Sequence, residues 1–350
     1  MAPTLRRSAA ADKAESEVDE AIAASIVAPA AVVVAASEHV PSAQRPRVEL
    51  PAAAQFPITV LLSFAAASMG YSVLGELSKG ELAAVTRTQE TWQEVGLLAT
   101  WRVLELTLGW FGGLDSLDVA LMDLLSHGPS LYLLVRFYTL SPATAISALA
   151  IDVVSAAVPF YLFRPLSDVH RASPNLPNRE LLDAPLQLYT TALSSVIYSV
   201  TLVLSLRFLL PRIFVLYFSH IPTLEPAYAA SYTSVLPVTL LFGAAASLFI
   251  FAPFATTGKA KEDDKIGEFD PAEASLGQTV WWNFWGYTAK AKVVIRRTAL
   301  ITVLTGVNTY LNCTMNIYGV EPTGAAIYSL VWVVAALFTG MSLGLVGEDE

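Results

Sequence analysis

The 350-residue chain has one cysteine, Cys313. That excludes an intramolecular disulfide and any redox framework built from paired thiols. Charge is scarce too: only 15% of residues are Asp, Glu, Lys or Arg, against about 25% in soluble domains of this size. Water is therefore not the main solvent for this chain. Also missing are a glycine-rich phosphate loop, a metal-spaced ligand cluster and a nucleophile motif. The formal charge of −9 comes largely from the N-terminal tail, one loop and the Glu-Asp-Glu end. It reads as loop acidity and points to no nucleic-acid partner. The apolar stretches lack the period-2 alternation of barrel strands, so only helices can span lipid with every backbone group satisfied.

The chain has instead 54% hydrophobic residues, gathered into eight apolar runs. They lie at about 57–77, 93–113, 117–139, 143–163, 188–210, 235–255, 298–318 and 322–346, each close to the ~20 residues a membrane helix needs. The expected fold is an all-α polytopic transmembrane bundle over 56–350, preceded by a disordered cytoplasmic tail, 1–55. Within the tail, residues 21–36 are apolar but Ala-rich, short and interrupted by Pro29. With the N-terminus cytoplasmic, the cytoplasmic side receives twelve basic residues: Arg45, Arg47, Arg164, Arg171, Arg179, Lys259, Lys261, Lys265, Lys290, Lys292, Arg296 and Arg297. The other side receives five, Lys79, Arg87, Arg136, Arg207 and Arg212. This bias orients the bundle with both termini cytoplasmic.

Between the sixth and seventh runs lies the largest connection, a cytoplasmic loop at 256–297. In its 278–297 segment, Trp281, Trp282 and Trp285 precede Lys290, Lys292, Arg296 and Arg297. Indoles settle at headgroup depth and basic side chains favour an anionic leaflet, so the segment reads as an interfacial lipid contact. Small residues recur at helix-contact spacing: Gly109 with Gly113, Gly243 with Ser247, and Gly340 with Gly344. No repeat relates the first four runs to the last four.

Ionisable residues at membrane depth are costly and face a bundle interior or a cavity. Here Glu94, Arg102 and Glu105 fall on one sector of the second run. Asp123 and His127 share a face of the third, where Gly128-Pro129 is expected to break or kink the helix. Asp152 sits centrally in the fourth. Two readings stay open. In one, Arg102 pairs with Asp152 or Glu105 and the neutralised cluster only fixes packing. In the other, the cluster lines a path for a small solute or protons, with the interrupted third helix lending backbone groups to a ligand. Two ligands, Asp123 and His127, are too few for a zinc site, and the adjacent Ser126 lacks a nucleophile elbow, so no metal, cofactor or catalytic residue is assigned. Asn308, Asn312 and Asn316, four apart on the seventh run, suggest a seam of interhelical hydrogen bonds.

The blocks KGELAAV (Lys79–Val85), LSHGPSLYL (Leu125–Leu133) and GQTVWWNFWG (Gly277–Gly286) resemble segments of an uncharacterised family of fungal multi-pass membrane proteins. The resemblance runs from about Phe56 to near the C-terminus. It implies a eukaryotic endomembrane or plasma-membrane setting and carries no activity or site residues. Two functional expectations follow: a small-solute or proton-coupled transporter using the polar cluster, or a non-catalytic structural or lipid-interacting membrane component. Membrane lipids are the expected partner in both.

Overall fold

The computed structural model describes residues 51–171, 177–260, 263 and 274–346. The tail up to residue 50 and most of the charged run after Lys259 lie outside these residues. Described residues 52–55, read as the end of the tail, are helical.

The described chain is all-helical, with only two isolated β-bridges. The helices are α1 (Ala52–Leu77), α2 (Glu81–Val85), α3 (Trp92–Phe111), α4 (Ser116–Phe137), α5 (Pro142–Phe163), α6 (Ala184–Tyr217), α7 (Glu225–Tyr228), α8 (Tyr232–Ala255), α9 (Leu276–Trp285), α10 (Ala289–Asn316) and α11 (Pro322–Val346). Five of them, α1, α5, α6, α8 and α11, are long and apolar enough to cross a membrane, which marks an integral membrane protein. The other three long helices, α3, α4 and α10, carry the polar residues diluting those runs.

The burial pattern of α1 is inverted relative to a soluble helix. Its buried residues include Thr59 and Ser63, while Leu61, Met69 and Val73 are exposed. The small Thr59 and Ser63 let a neighbouring helix approach, Thr59 bonding back to the Gln55 carbonyl, whereas an apolar side chain loses nothing by facing acyl chains.

The long helices run up and down between two ends. The proximal end gathers the start of α1, the α3–α4 and α5–α6 connections and the start of α10. Here Phe56 meets Trp110 and Trp110 meets Phe160. At the distal end Glu81 receives Ser141 and Thr144, Arg87 reaches the Met315 carbonyl, and Ser219 reaches Gly319. Glu81 sits over the N-terminus of α5, and the Thr144 and Ser141 hydrogen bonds hold its carboxyl below the usual range. The most enclosed helix is α4, packed against α5, α10 and α8.

Prolines shape the interior. Of the break or kink expected at Gly128-Pro129, the break does not occur: α4 is continuous from Ser116 to Phe137. A helical proline strips the carbonyl four residues back of its donor, and in lipid a neighbouring helix must supply another. Thr305 Oγ1 of α10 does so at Leu125 O, 3.3 Å away. No carbonyl at that turn is thus left for a ligand. The same logic holds in α8, where Pro253 deprives Phe249 O and Arg297 Nη1 donates to it at 2.7 Å. In α6 and α8 the turn just before the proline widens into π geometry, at Ser205–Leu209 before Pro211 and at Ser247–Phe251 before Pro253. The wider turn relieves the clash of the ring with the preceding turn.

Close approach between α6 and α8 depends on small residues. A Cβ on Gly243 would sit 2.5 Å from the Ser195 backbone nitrogen. Hydroxyl pairs flank this contact, Ser199 to Thr239 at 2.6 Å and Thr190 to Ser247 at 2.8 Å. Gly109 and Gly340 likewise pack closely, but Gly113 has open space around it and a φ of +75°. It serves the α3–α4 turn, not a helix interface.

Candidate functional site

A cavity of about 510 Å³ descends from the distal end into the middle of the bundle. Arg87, Gln89, Asn316 and Ile317 stand near its mouth. Leu98, Trp101, Leu131 and Asn312 line it further down, and Arg102, Glu105, His127, Asp152 and Asn308 form its inner wall. Four helices of different sequence thus bring polar groups to one depth.

Arg102 is the hub. Nη1 lies 3.0 Å from Asp123 Oδ2 and 3.4 Å from Glu105 Oε2. Nη2 reaches the backbone carbonyl of Asp152 at 3.2 Å and Ser155 Oγ at 3.3 Å. The expected pairing is therefore corrected in one respect: the main ion pair is with Asp123, and Asp152 offers Arg102 only its backbone. The Asp152 carboxylate instead accepts from Tyr71 of α1 at 2.8 Å. Tyr71 completes the site and was missed from sequence, where a tyrosine inside an apolar run reads as an interfacial ring. Glu94 leaves the cluster. It begins α3, close to the mouth, and binds Arg87 and the Glu90 backbone N–H.

His127 Nδ1 lies 3.2 Å from the Asp123 carbonyl and 3.1 Å from Ser126 Oγ. One guanidinium therefore faces three carboxyl groups, Glu105, Asp123 and Asp152. The carboxyl groups of this floor outnumber its one guanidinium by two. A cation or bound protons offset such an excess far better than an anionic solute does.

The asparagine series is more than a seam. Gln89 donates to Asn316 Oδ1 at 2.8 Å, Asn316 to Asn312 Oδ1 at 2.7 Å, and Asn312 to Asn308 Oδ1 at 3.0 Å. Trp101 Nε1 also donates to Asn308 Oδ1, at 3.3 Å. Two N–H donors on one oxygen fix the amide orientation. Every bond in the ladder points inward, and it ends on Asn308 Nδ2, buried with its donor capacity unspent. Glu105 Oε1, on the same inner wall, is likewise buried and unspent as an acceptor. The Asn312 amide is engaged on both its nitrogen and its oxygen inside this ladder.

A second polar cluster closes the proximal end. Asp115, Asp118 and His170 bring ligand atoms within 4.8 Å of one another, but their lone pairs are spoken for. Asp115 Oδ1 accepts from the Leu117 and Asp118 backbone N–H, and Oδ2 from Ser167 N at 2.8 Å and His170 Nδ1 at 2.6 Å. Burial alone would raise the Asp115 pKa, yet the His170, Asp118 and Ser167 hydrogen bonds override it and hold the carboxyl well below the usual range. Asp118 takes both prongs of Arg297, with Nη2 at 2.9 Å from Oδ2. This is a helix cap joined to an interhelical clasp, not a vacant ligand set.

That clasp corrects one expected lipid contact. Arg297 turns into the bundle between Asp118, the Phe249 carbonyl and the Phe249 ring, 4.9 Å from its centroid. Lys290 likewise lies over the Phe254 ring at 5.9 Å. Trp281 is exposed, as an interfacial ring should be, and Trp282 is half-buried. Lys292 is half-buried and Arg296 exposed, while the side chain of Trp285 lies outside the described ones.

No family model, curated protein or solved structure matches this chain. Function has to be read from the cavity's own chemistry.

Proposed function

We propose that the chain is a membrane transporter that carries a small polar solute, with protons balancing the carboxylates of the cavity. The observation that carries this reading is the pair of unspent groups on the inner wall, Glu105 Oε1 and Asn308 Nδ2. A solute offering both a donor and an acceptor would engage both groups, taking the place of the water that otherwise serves them. In this reading all eight long helices span the membrane and the basic proximal end faces the cytoplasm. The cavity then opens to the opposite side. Its cytoplasmic side is closed by the Arg102–Asp123 pair and, nearer the end, by the rings of Phe56, Trp110 and Phe160. Glu105 and Asp152 carry the exchangeable protons, and the asparagine ladder guides the solute inward.

Glu105→Gln tests this in proteoliposomes. Proton uptake coupled to solute flux should fall by at least tenfold, with the thermal midpoint unchanged. Water access is tested in a Cys313→Ala background with single cysteines at Leu98, Leu131 and Ser155. A charged thiol reagent should label the first two, which line the cavity, and spare Ser155, which lies behind Arg102. Labelling of none of the three would refute a wet pathway.

One observation favours a second reading, a structural membrane component. Arg102 spends its donors on protein acceptors from two neighbouring helices, α4 and α5, which is how a packing clasp behaves. On that reading Glu105→Gln lowers abundance and stability and changes no flux.

A further inference from the structure

Away from the cavity, on the outer face of the distal end, the last turns of α6 form a groove of about 460 Å³. Arg207, Arg212, Phe208, Val215 and Tyr228 line it. Two arginines five positions apart on an ordinary helix point about 140° away from each other. Here the π turn at Ser205–Leu209, closed by the Leu210 N–H on the Ser205 carbonyl, absorbs one residue. Arg207 and Arg212 then stand roughly as an i, i+4 pair, about 40° apart, on a single face. The proline that widens the turn thereby brings two positive charges to one groove.

Neither charge is neutralised by the protein. Arg207 spends Nε on the Ala230 carbonyl at 2.7 Å, and no carboxylate pairs with either guanidinium among the described residues. Around them the wall is apolar and outward-facing: Phe208 is 78% exposed, Val215 69% and Tyr228 65%. Depth agrees with charge. At 34 residues, α6 is about 51 Å long, while the hydrocarbon core is about 30 Å thick. Counted from its proximal start, the helix clears the hydrocarbon near residue 204. Both guanidiniums therefore stand at phosphate level, with acyl chains beside the exposed Leu204 and Val200 one and two turns below Arg207.

We propose that this groove is a binding site for an anionic phospholipid. Its phosphate is held between Arg207 and Arg212 beside the exposed Phe208, and its upper acyl chain descends along Leu204 and Val200. Guanidinium forks match phosphate oxygens two at a time, and an unpaired pair of them at that depth is suited to little else. The site is independent of the transport reading and does not touch the cavity.

The test uses the purified full-length chain in a neutral detergent, with unfolding followed by reaction of the buried Cys313 thiol with a maleimide dye. At about ten times the dissociation constant, phosphatidylglycerol should raise the midpoint by roughly 4 °C, and phosphatidylcholine should not. Arg212→Gln should weaken the phosphatidylglycerol response on the order of tenfold, and Arg212→Lys should restore it only in part. The Arg212 side chain has no protein partner among the described residues, so this variant tests binding without disturbing the fold; Arg207→Gln, which also frees the Ala230 carbonyl, serves as the second arm. An equal response to both lipids, or an unchanged response in Arg212→Gln and Arg207→Gln alike, would overturn the site. If inorganic phosphate alone reproduces the shift, the groove is an anion site and the lipid assignment falls.

Discussion

Arg297→Met separates two accounts of the same residue. As a headgroup contact it would be worth little and would depend on lipid charge. As the interhelical clasp described above, its loss strands the Asp118 carboxylate, which is 1% exposed, and takes a side-chain donor from the Phe249 carbonyl that Pro253 cannot serve. Breaking a buried ion pair from one side costs about 3–5 kcal/mol. Interhelical bonds in membranes measure lower, near 0.6 kcal/mol on average, because the unfolded helices also find partners. The bidentate geometry and the extra carbonyl place this site well above that average, so about 3 kcal/mol is expected. At roughly 2–4 °C per kcal/mol, the midpoint should drop by about 6–12 °C. The assay is native to the chain: Cys313, its one thiol, is fully buried, so maleimide labelling on a heating ramp reports unfolding without added probes. Asp118→Leu in the same background should recover more than half of the loss, since it removes the stranded charge. The reasoning fails if Arg297→Met shifts the midpoint by less than about 1 °C, or if its effect tracks anionic lipid content and ignores Asp118.

Further outcomes are expected. Gly243→Leu should abolish folding or separate α6 from α8, since even a Cβ there meets the Ser195 backbone at 2.5 Å; a stable, well-packed Gly243→Leu protein would contradict the close α6–α8 packing. Asp115 titrates lower in the folded chain than in the unfolded one. Its stabilisation is therefore full above the unfolded value of about 3.9 and is lost as pH falls through the lower folded value. The midpoint of the native chain should decline between about pH 4 and pH 2 more steeply than that of Asp115→Asn, and parallel curves would remove Asp115 from the account. Tyr71→Phe should leave the protein folded while changing the pH dependence of any proton flux, because Tyr71 donates directly to Asp152.

Much of the bundle was legible because hydrophobic length is a one-dimensional property. Each long helix overlaps one of the eight runs, although three of these helices are too polar to count as spans by composition alone. Depth was legible as well: Arg102, Glu105, His127 and Asp152 do share one cavity. Pairing was not, because it is decided by helix rotation. Arg102 takes Asp123 in preference to Asp152, Asp152 takes Tyr71 from a helix that had shown no polar signal, and Arg297 turns inward although its neighbours are basic and aromatic. That Pro129 leaves α4 unbroken was illegible for a related reason. Sequence shows the lost N–H, but only the fold shows Thr305 arriving to replace it. The helix α6 outruns the apolar run at about 188–210 and reaches Tyr217 because a π turn lets it pass Pro211.

The partners of α4 impose an order on how the protein is made. Asp118, the Leu125 carbonyl and the Pro129 carbonyl wait for Arg297, Thr305 and Tyr328, which lie 179, 180 and 199 residues further along the chain. While the ribosome is still synthesising the middle of the protein, α4 already carries a naked carboxylate and, at Leu125, a carbonyl that has lost its helical donor. It therefore has reason to linger beside the insertion machinery, where water and chaperoning surfaces substitute for α10 and α11. A nascent chain stopped before Ala289 lacks all three partners, and the quality-control system of its membrane has a polar stripe to recognise. The last two helices are keystones, and a frameshift near the C-terminus should be as damaging as one near the start.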